Sequence, residues 1–234
     1  MAGVIKSVLF VDFDNTITIG DVLDAVIERF SATEQWRDWE SDWQRGELTT
    51  AECLSLQVRN LRVDAEELAE FVSGISIDAC FSSLVDLCAA RRIPLRIVSD
   101  NFSLIVREIL RRHSLPDVTV YANELLFDGN KPVAMFPHAN PQCGRCAHCK
   151  AGHFAAFASH RKIFVGDGLS DICPAEAADI VFAKGALAGH LSSAGTPFIP
   201  FASLGDVFYY LEMENRHRHS IAATPTSSGM PGAR

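Results

Sequence analysis

The chain has 234 residues, 48% of them hydrophobic and 21% charged, enough apolar material for one large core with or without a small accessory unit. Its formal net charge of -8 and pI near 5.4 would repel a phosphate backbone, which argues against nucleic acid as a partner. No stretch is long and charge-free enough for a signal peptide or a membrane span, so the expectation is no membrane partner and cytoplasmic residence, with the seven cysteines reduced or metal-bound.

In chain order, residues 7–13 (SVLFVDF) form a short apolar run ending in acids, the pattern of a buried parallel strand with a working carboxyl end. Similar runs at 94–99, 162–166 and 179–182 alternate with helical patterns at 82–91, 102–113, 150–159, 170–177 and 203–215. This alternation predicts an α/β fold, a three-layer Rossmann-like parallel sheet whose site lies at the strands' carboxyl ends. Residues 19–80 break the pattern with amphipathic helical segments. Thr49 with Glu52 and Asp64 with Glu67 carry capping-box spacing, which places two helix starts there. A helical cap at 19–80 inserted into a core of 1–18 and 81–214 is the expected organisation. Residues 215–234, rich in Ser, Thr, Pro and Gly, read as a disordered tail.

Asp12 and Asp14 end the first strand two residues apart, so the strand period points both acids to one side. Ser99, followed by Asp100 and Asn101, ends the second run, where a hydroxyl and backbone N–H groups can meet phosphate oxygens. Lys150 opens a helical pattern. Gly166-Asp167-Gly168-Leu169-Ser170-Asp171 places two further acids at another strand end.

Taken together, Asp12-Phe13-Asp14-Asn15-Thr16, Ser99, Lys150 and the 166–171 segment resemble, in order and context, the four motifs of the haloacid dehalogenase superfamily. The resemblance spans roughly residues 4–211, with the helical insertion where that superfamily places a cap. It implies a phosphatase in which Asp12 is the nucleophile and Asp14 the general acid and base. It implies Mg2+ held by Asp12, Asp14 through its carbonyl, Asp167 and Asp171. Thr16, Ser99, Asp100, Asn101 and Lys150 would surround the phosphate. An acid at position 14 fits phosphatase chemistry over dehalogenation, because a halide leaves without a proton.

The segment Cys143-Gly-Arg-Cys146-Ala-His-Cys149-Lys150, with VGDGLSDICP at 165–174, is similar to two groups: the phosphatases of 2-hydroxy-3-keto-5-methylthiopentenyl-1-phosphate and the phosphoethanolamine/phosphocholine phosphatases. The implied partner is a small phosphorylated metabolite. Asp100 or the tryptophans Trp36, Trp39 and Trp43 could meet a substrate amine, although those three share one helical face and equally suit a core stripe. Asp21 falls where the similar phosphoserine phosphatases carry a longer acid. Cys143, Cys146 and Cys149 with His153 have the ligand types of a structural Zn2+ site, against the alternative of unligated thiols. The rival to an enzyme is a non-catalytic phospho-ligand or zinc-linked interaction protein that retains the fold.

Overall fold

The computed structural model describes residues 6–222 apart from Asn130 and Cys143, with side chains through Glu214. Its centre is a seven-stranded sheet in the order β4-β3-β2-β1-β5-β6-β7. The strands are β1 (Ser7–Val11), β2 (Leu95–Phe102), β3 (Thr119–Asp128), β4 (Lys131–Met135), β5 (Arg161–Gly166), β6 (Ile180–Ala183) and β7 (Ile199–Pro200). All pairings are parallel except that of β3 with β4.

Strand β1 lies mid-sheet because every one of its apolar residues is needed on one face or the other. Leu9 and Val11 enter the core cluster on one side, and Val8 and Phe10 enter the cluster on the opposite side. Burying each contributes on the order of 1.5–3 kcal/mol, which fixes the strand between two helical layers. The flanking helices include α5 (Phe81–Ala90), α6 (Ser103–Arg112), α7 (Ile172–Ala177) and α8 (Gly185–Ala194). The expected α/β architecture is therefore present.

Four helices precede α5: α1 (Val22–Phe30), α2 (Trp36–Gln44), α3 (Thr50–Asn60) and α4 (Ala65–Val72). Both predicted capping boxes form. Thr49 Oγ1 accepts from Glu52 N at 3.2 Å while Glu52 returns to Thr49 N at 2.9 Å, and Asp64 and Glu67 exchange the corresponding bonds.

Strands β3, β4 and β7 were not legible in the sequence. β3 mixes polar and apolar residues in an irregular burial pattern, and its hairpin to β4 turns through Gly129 at φ +60°, a conformation glycine adopts without penalty. The 150–159 segment is a 3-10 helix (Lys150–Phe157) instead of an α-helix. The C-terminal correction is larger: α9 runs Leu204–Ala222, so residues 215–222 continue a helix where a disordered tail was expected. Val207 and Leu211 bury its first turns, and a helix once nucleated adds one backbone hydrogen bond for each further residue fixed. The remaining expected tail, 223–234, lies outside the described residues. Among the described residues, no helix is long and apolar enough to cross a membrane.

Candidate active site

Asp12 follows β1 and donates its backbone N–H to Val165 O of β5 at 2.9 Å, which aligns the carboxyl ends of the two strands. Asp167 and Asp171 arrive from beyond β5. Carboxylate oxygens of Asp12, Asp167 and Asp171 lie within 4.8 Å of one another. Asp171 is fully buried and accepts from the backbone N–H groups of Asp167 and Gly168 at 3.0 and 3.1 Å. Gly166 makes this approach possible, since a Cβ there would overlap the Asp171 carboxylate.

Lys150 is 2% exposed, and its ammonium donates to Asp12 Oδ1 and Asp171 Oδ1 at 2.7 Å each and to Ser170 Oγ at 3.0 Å. Burial alone would favour the neutral amine, but the Asp12, Asp171 and Asp100 carboxylates outweigh it and hold Lys150 charged. Asp12 is pushed up by burial first and by the Asp171 charge second, with Lys150 opposing. One ammonium does not balance three clustered carboxylates. The all-oxygen donor set and its residual negative charge suit a hard divalent cation.

Asp14 occupies different surroundings. Its Oδ1 accepts from the N–H groups of Val22 and Leu23 at the start of α1, at 3.0 and 3.3 Å, and Asn101 Nδ2 donates to both of its oxygens at 3.0 Å. Burial, followed by the charge of Asp21, nonetheless raises Asp14 to about 7. A carboxyl poised there can both give and take a proton at neutral pH.

The other sequence candidates divide. Ser99, Asp100, Asn101 and Lys150 line one cavity of about 280 Å3 with Asp12, Asp14 and Asp167. Ser99 Oγ accepts from Asn101 N at 3.0 Å and stands 3.4 Å from Asp14 Oδ2. Asp100 Oδ2 lies 3.6 Å from Lys150, while its buried Oδ1 has no hydrogen-bond partner. The side chains of Asn101 and Thr16 are committed within the protein: Asn101 to Asp14, and Thr16 Oγ1 to Asp167 Oδ1 at 3.0 Å.

The expected zinc set does not assemble among the described residues. Cys143 lies outside them. His153 Nε2 hydrogen-bonds His148 Nε2 at 2.7 Å, and the metal-competent group found among the described residues is the acidic trio, without Cys146, Cys149 or His153. The three tryptophans also separate. None is fully buried, so they form no core stripe; Trp43 reaches the cavity with its Nε1 on Thr50 Oγ1 at 3.0 Å, while Trp36 is covered by Arg37.

Sequence reasoning missed three wall residues. Asp24 and Glu40 line the cavity beside Asp21, and Ser170 holds Lys150. Asp21 and Asp24 face the cavity space yet are ringed by protein and by one another; burial first, then Asp24 for Asp21 and Glu40 for Asp24, raises each to about 6. The three-residue spacing of Asp21 and Asp24 was a usable signal for a shared helix face. Glu40 carried none, because it comes from a different helix.

Comparison with known proteins agrees with this geometry. Residues 7–187 match the family model described as "Putative Phosphatase". A 2-hydroxy-3-keto-5-methylthiopentenyl-1-phosphate phosphatase of Brevibacillus brevis is 30% identical over 217 residues, covering 88% of this chain and 96% of that one. The protein of that name from Geobacillus kaustophilus is 28% identical over 88% of this chain and 95% of its own. A substrate-bound phosphoserine phosphatase shares the fold at TM-score 0.68 and 18% identity, covering 88% of this chain and 98% of that chain. With well over half its length matched and the acid, lysine and serine positions converging on one cavity, the chain belongs to this phosphatase family and is a phosphoric monoester hydrolase.

Proposed function

We propose that the chain is a Mg2+-dependent phosphatase that hydrolyses a small phosphomonoester through an aspartyl-phosphate on Asp12. The observation that carries this reading is the Lys150 ammonium 2.7 Å from Asp12 within a cavity that Asp14, Ser99 and Asp167 also line. Asp12, Asp167 and Asp171, with the Asp14 backbone carbonyl, would hold Mg2+, which when bound offsets the carboxylate charge and that of the phosphate. In the first step a carboxylate oxygen of Asp12 forms a bond to phosphorus as the bond to the leaving alkoxide breaks, and Asp14 gives that alkoxide its proton. In the second, the Asp14 carboxylate takes a proton from water, whose oxygen attacks phosphorus and releases Asp12. Ser99 Oγ–H and Lys150 stabilise the charge spread over the phosphoryl oxygens.

Residues 19–80 act as a cap over a core of 1–18 and 81–214, limiting access to small diffusible substrates. Two substrate classes are carried forward: phosphoethanolamine or phosphocholine, and a methylthiopentenyl phosphate of the kind named for the Brevibacillus brevis and Geobacillus kaustophilus relatives. The acidic wall of Asp21, Asp24 and Glu40 favours the amine-bearing class, because a cationic leaving group relieves their mutual repulsion.

Release of phosphate from p-nitrophenyl phosphate, with Mg2+ and with chelator, tests the chemistry in the wild type and Asp12→Asn. Metal-dependent turnover lost in the variant is expected. Turnover that survives either change would overturn the mechanism, and its absence from the wild type would favour a non-catalytic phospho-ligand protein. A panel of phosphoethanolamine, phosphocholine and uncharged alkyl phosphates tests the substrate class, and indifference to the cation defeats the amine reading.

A further inference from the structure

Behind Ser99 lies a layer of rings that the chemistry above does not use. The β2–β3 ladder shifts register between Val98 and Phe102, and β2 pairs with β1 only as far as Ile97. The backbone across Ser99 and Asp100 therefore leaves both ladders, as at the irregularities that re-aim side chains beside active sites. Buried carbonyls so released need donors. Asn123 Nδ2 supplies Asp100 O at 2.7 Å, and His148 Nδ1 lies 2.9 Å from Ser99 O.

The partners of His148 fix where its protons are. A carbonyl oxygen only accepts, so Nδ1 of His148 carries a proton. Burial, followed by the neighbouring His153, depresses His148 to about 2, and burial followed by His138 depresses His153 to about 4. Both rings are neutral near pH 7, which leaves His148 Nε2 bare and makes His153 Nε2 the donor across their 2.7 Å contact. His153 is itself held by stacking on Tyr121, with ring centroids 4.1 Å apart and planes at 17°.

We propose that His148 is a positioning residue for phosphate binding: its bond to the Ser99 carbonyl fixes the strand end that presents the Ser99 hydroxyl to the phosphoryl group, and His153 holds His148 in the tautomer that makes this bond. The peptide unit is planar, so anchoring the Ser99 carbonyl also sets the direction of the Asp100 N–H on the same unit. On the cavity side, Ser99 Oγ accepts from Asn101 N at 3.0 Å and donates to Asp14 Oδ2 over a long 3.4 Å, a weak bond that a ligand oxygen can replace.

This inference rests on the phosphatase reading, and the test separates the two. His148→Asn and His148→Leu have the same branched shape, but only Asn keeps a donor where Nδ1 was. Full-length wild type and both variants are compared with Mg2+ by p-nitrophenyl phosphate kinetics and by calorimetric titration of inorganic phosphate, with thermal melts alongside. The expected result is a roughly tenfold or greater loss of phosphate affinity and of kcat/KM in His148→Leu, the scale of one buried hydrogen bond, and recovery to within a few-fold in His148→Asn. Equal behaviour of the two variants, or unchanged phosphate affinity in His148→Leu, overturns the positioning role. Should either fail to melt cooperatively, His153→Gln, which keeps a donor at the Nε2 position, and His153→Leu, which does not, replace them with the same expected ordering and the same overturning result. A wild type that binds phosphate without turnover defeats the proposed function while the affinities still decide His148; one that does neither defeats both.

Discussion

Asn101 Nδ2 donates to both carboxylate oxygens of Asp14 at 3.0 Å, from the next motif, 87 residues on in sequence. The bond favours the ionised acid and so opposes the burial that raises Asp14 to about 7. Asn101→Leu removes it and should raise Asp14 further. Since alkoxide departure needs the protonated acid, the limb on which kcat falls with rising pH should move to higher pH. A pH–rate profile on an alkyl phosphate checks this.

Replacing the acid itself separates its role from binding. Asp14→Asn should reduce turnover of an alkyl phosphate by roughly 10²–10⁴-fold, the range for a lost general acid or base. The loss on p-nitrophenyl phosphate should be clearly smaller in the phosphorylation step, because that leaving group departs with little need of a proton. Single-turnover kinetics on the two substrates provide the comparison.

Gly166→Ala tests the fit of the acidic trio. The new methyl would occupy space taken by the Asp171 carboxylate and press on Phe164, so Asp171 must move away from Lys150 and from the N–H groups of Asp167 and Gly168. A loss of activity above about tenfold and destabilisation of roughly 1–3 kcal/mol are expected, measured by kinetics and by denaturant melts.

A divalent cation that binds the folded trio alone must raise the melting temperature in proportion to the logarithm of its concentration once above the dissociation constant. Mg2+ should therefore stabilise the wild type. Asp167→Asn should weaken that shift strongly while melting normally in chelator, since Asp167 lies at the rim of the buried group.

Asp21 and Asp24 stand near 6 in the folded chain, above the ordinary carboxyl value of 3.8. Between about pH 4 and 6 these two carboxyls hold protons in the folded chain that the unfolded chain has released, so their contribution to the unfolding free energy falls as pH rises through this window. His148 and His153, depressed to about 2 and 4, act in the opposite direction below about 6.5, so the carboxyl effect is read as a difference between wild type and variant. In chelator, Asp24→Asn should raise the melting temperature relative to the wild type more at pH 7 than at pH 5. An equal shift at both pH values would defeat this assignment.

The sequence by itself determined the strand-ending acids and their order. Asp12 and Asp14 follow an apolar run that burial forces mid-sheet, and the 166–171 acids follow another, so parallel pairing brings both to one edge. The capping boxes were equally local, since each closes within three residues. What tertiary structure decided was every partnership between distant segments. The commitment of Asn101 to Asp14, the acidic wall completed by Glu40, and the pairing of His153 with His148 all depend on side chains meeting across elements, which spacing along the chain does not encode. The His148 bond to Ser99 arises for the same reason: it answers a carbonyl that only the register shift between β2 and β3 sets free.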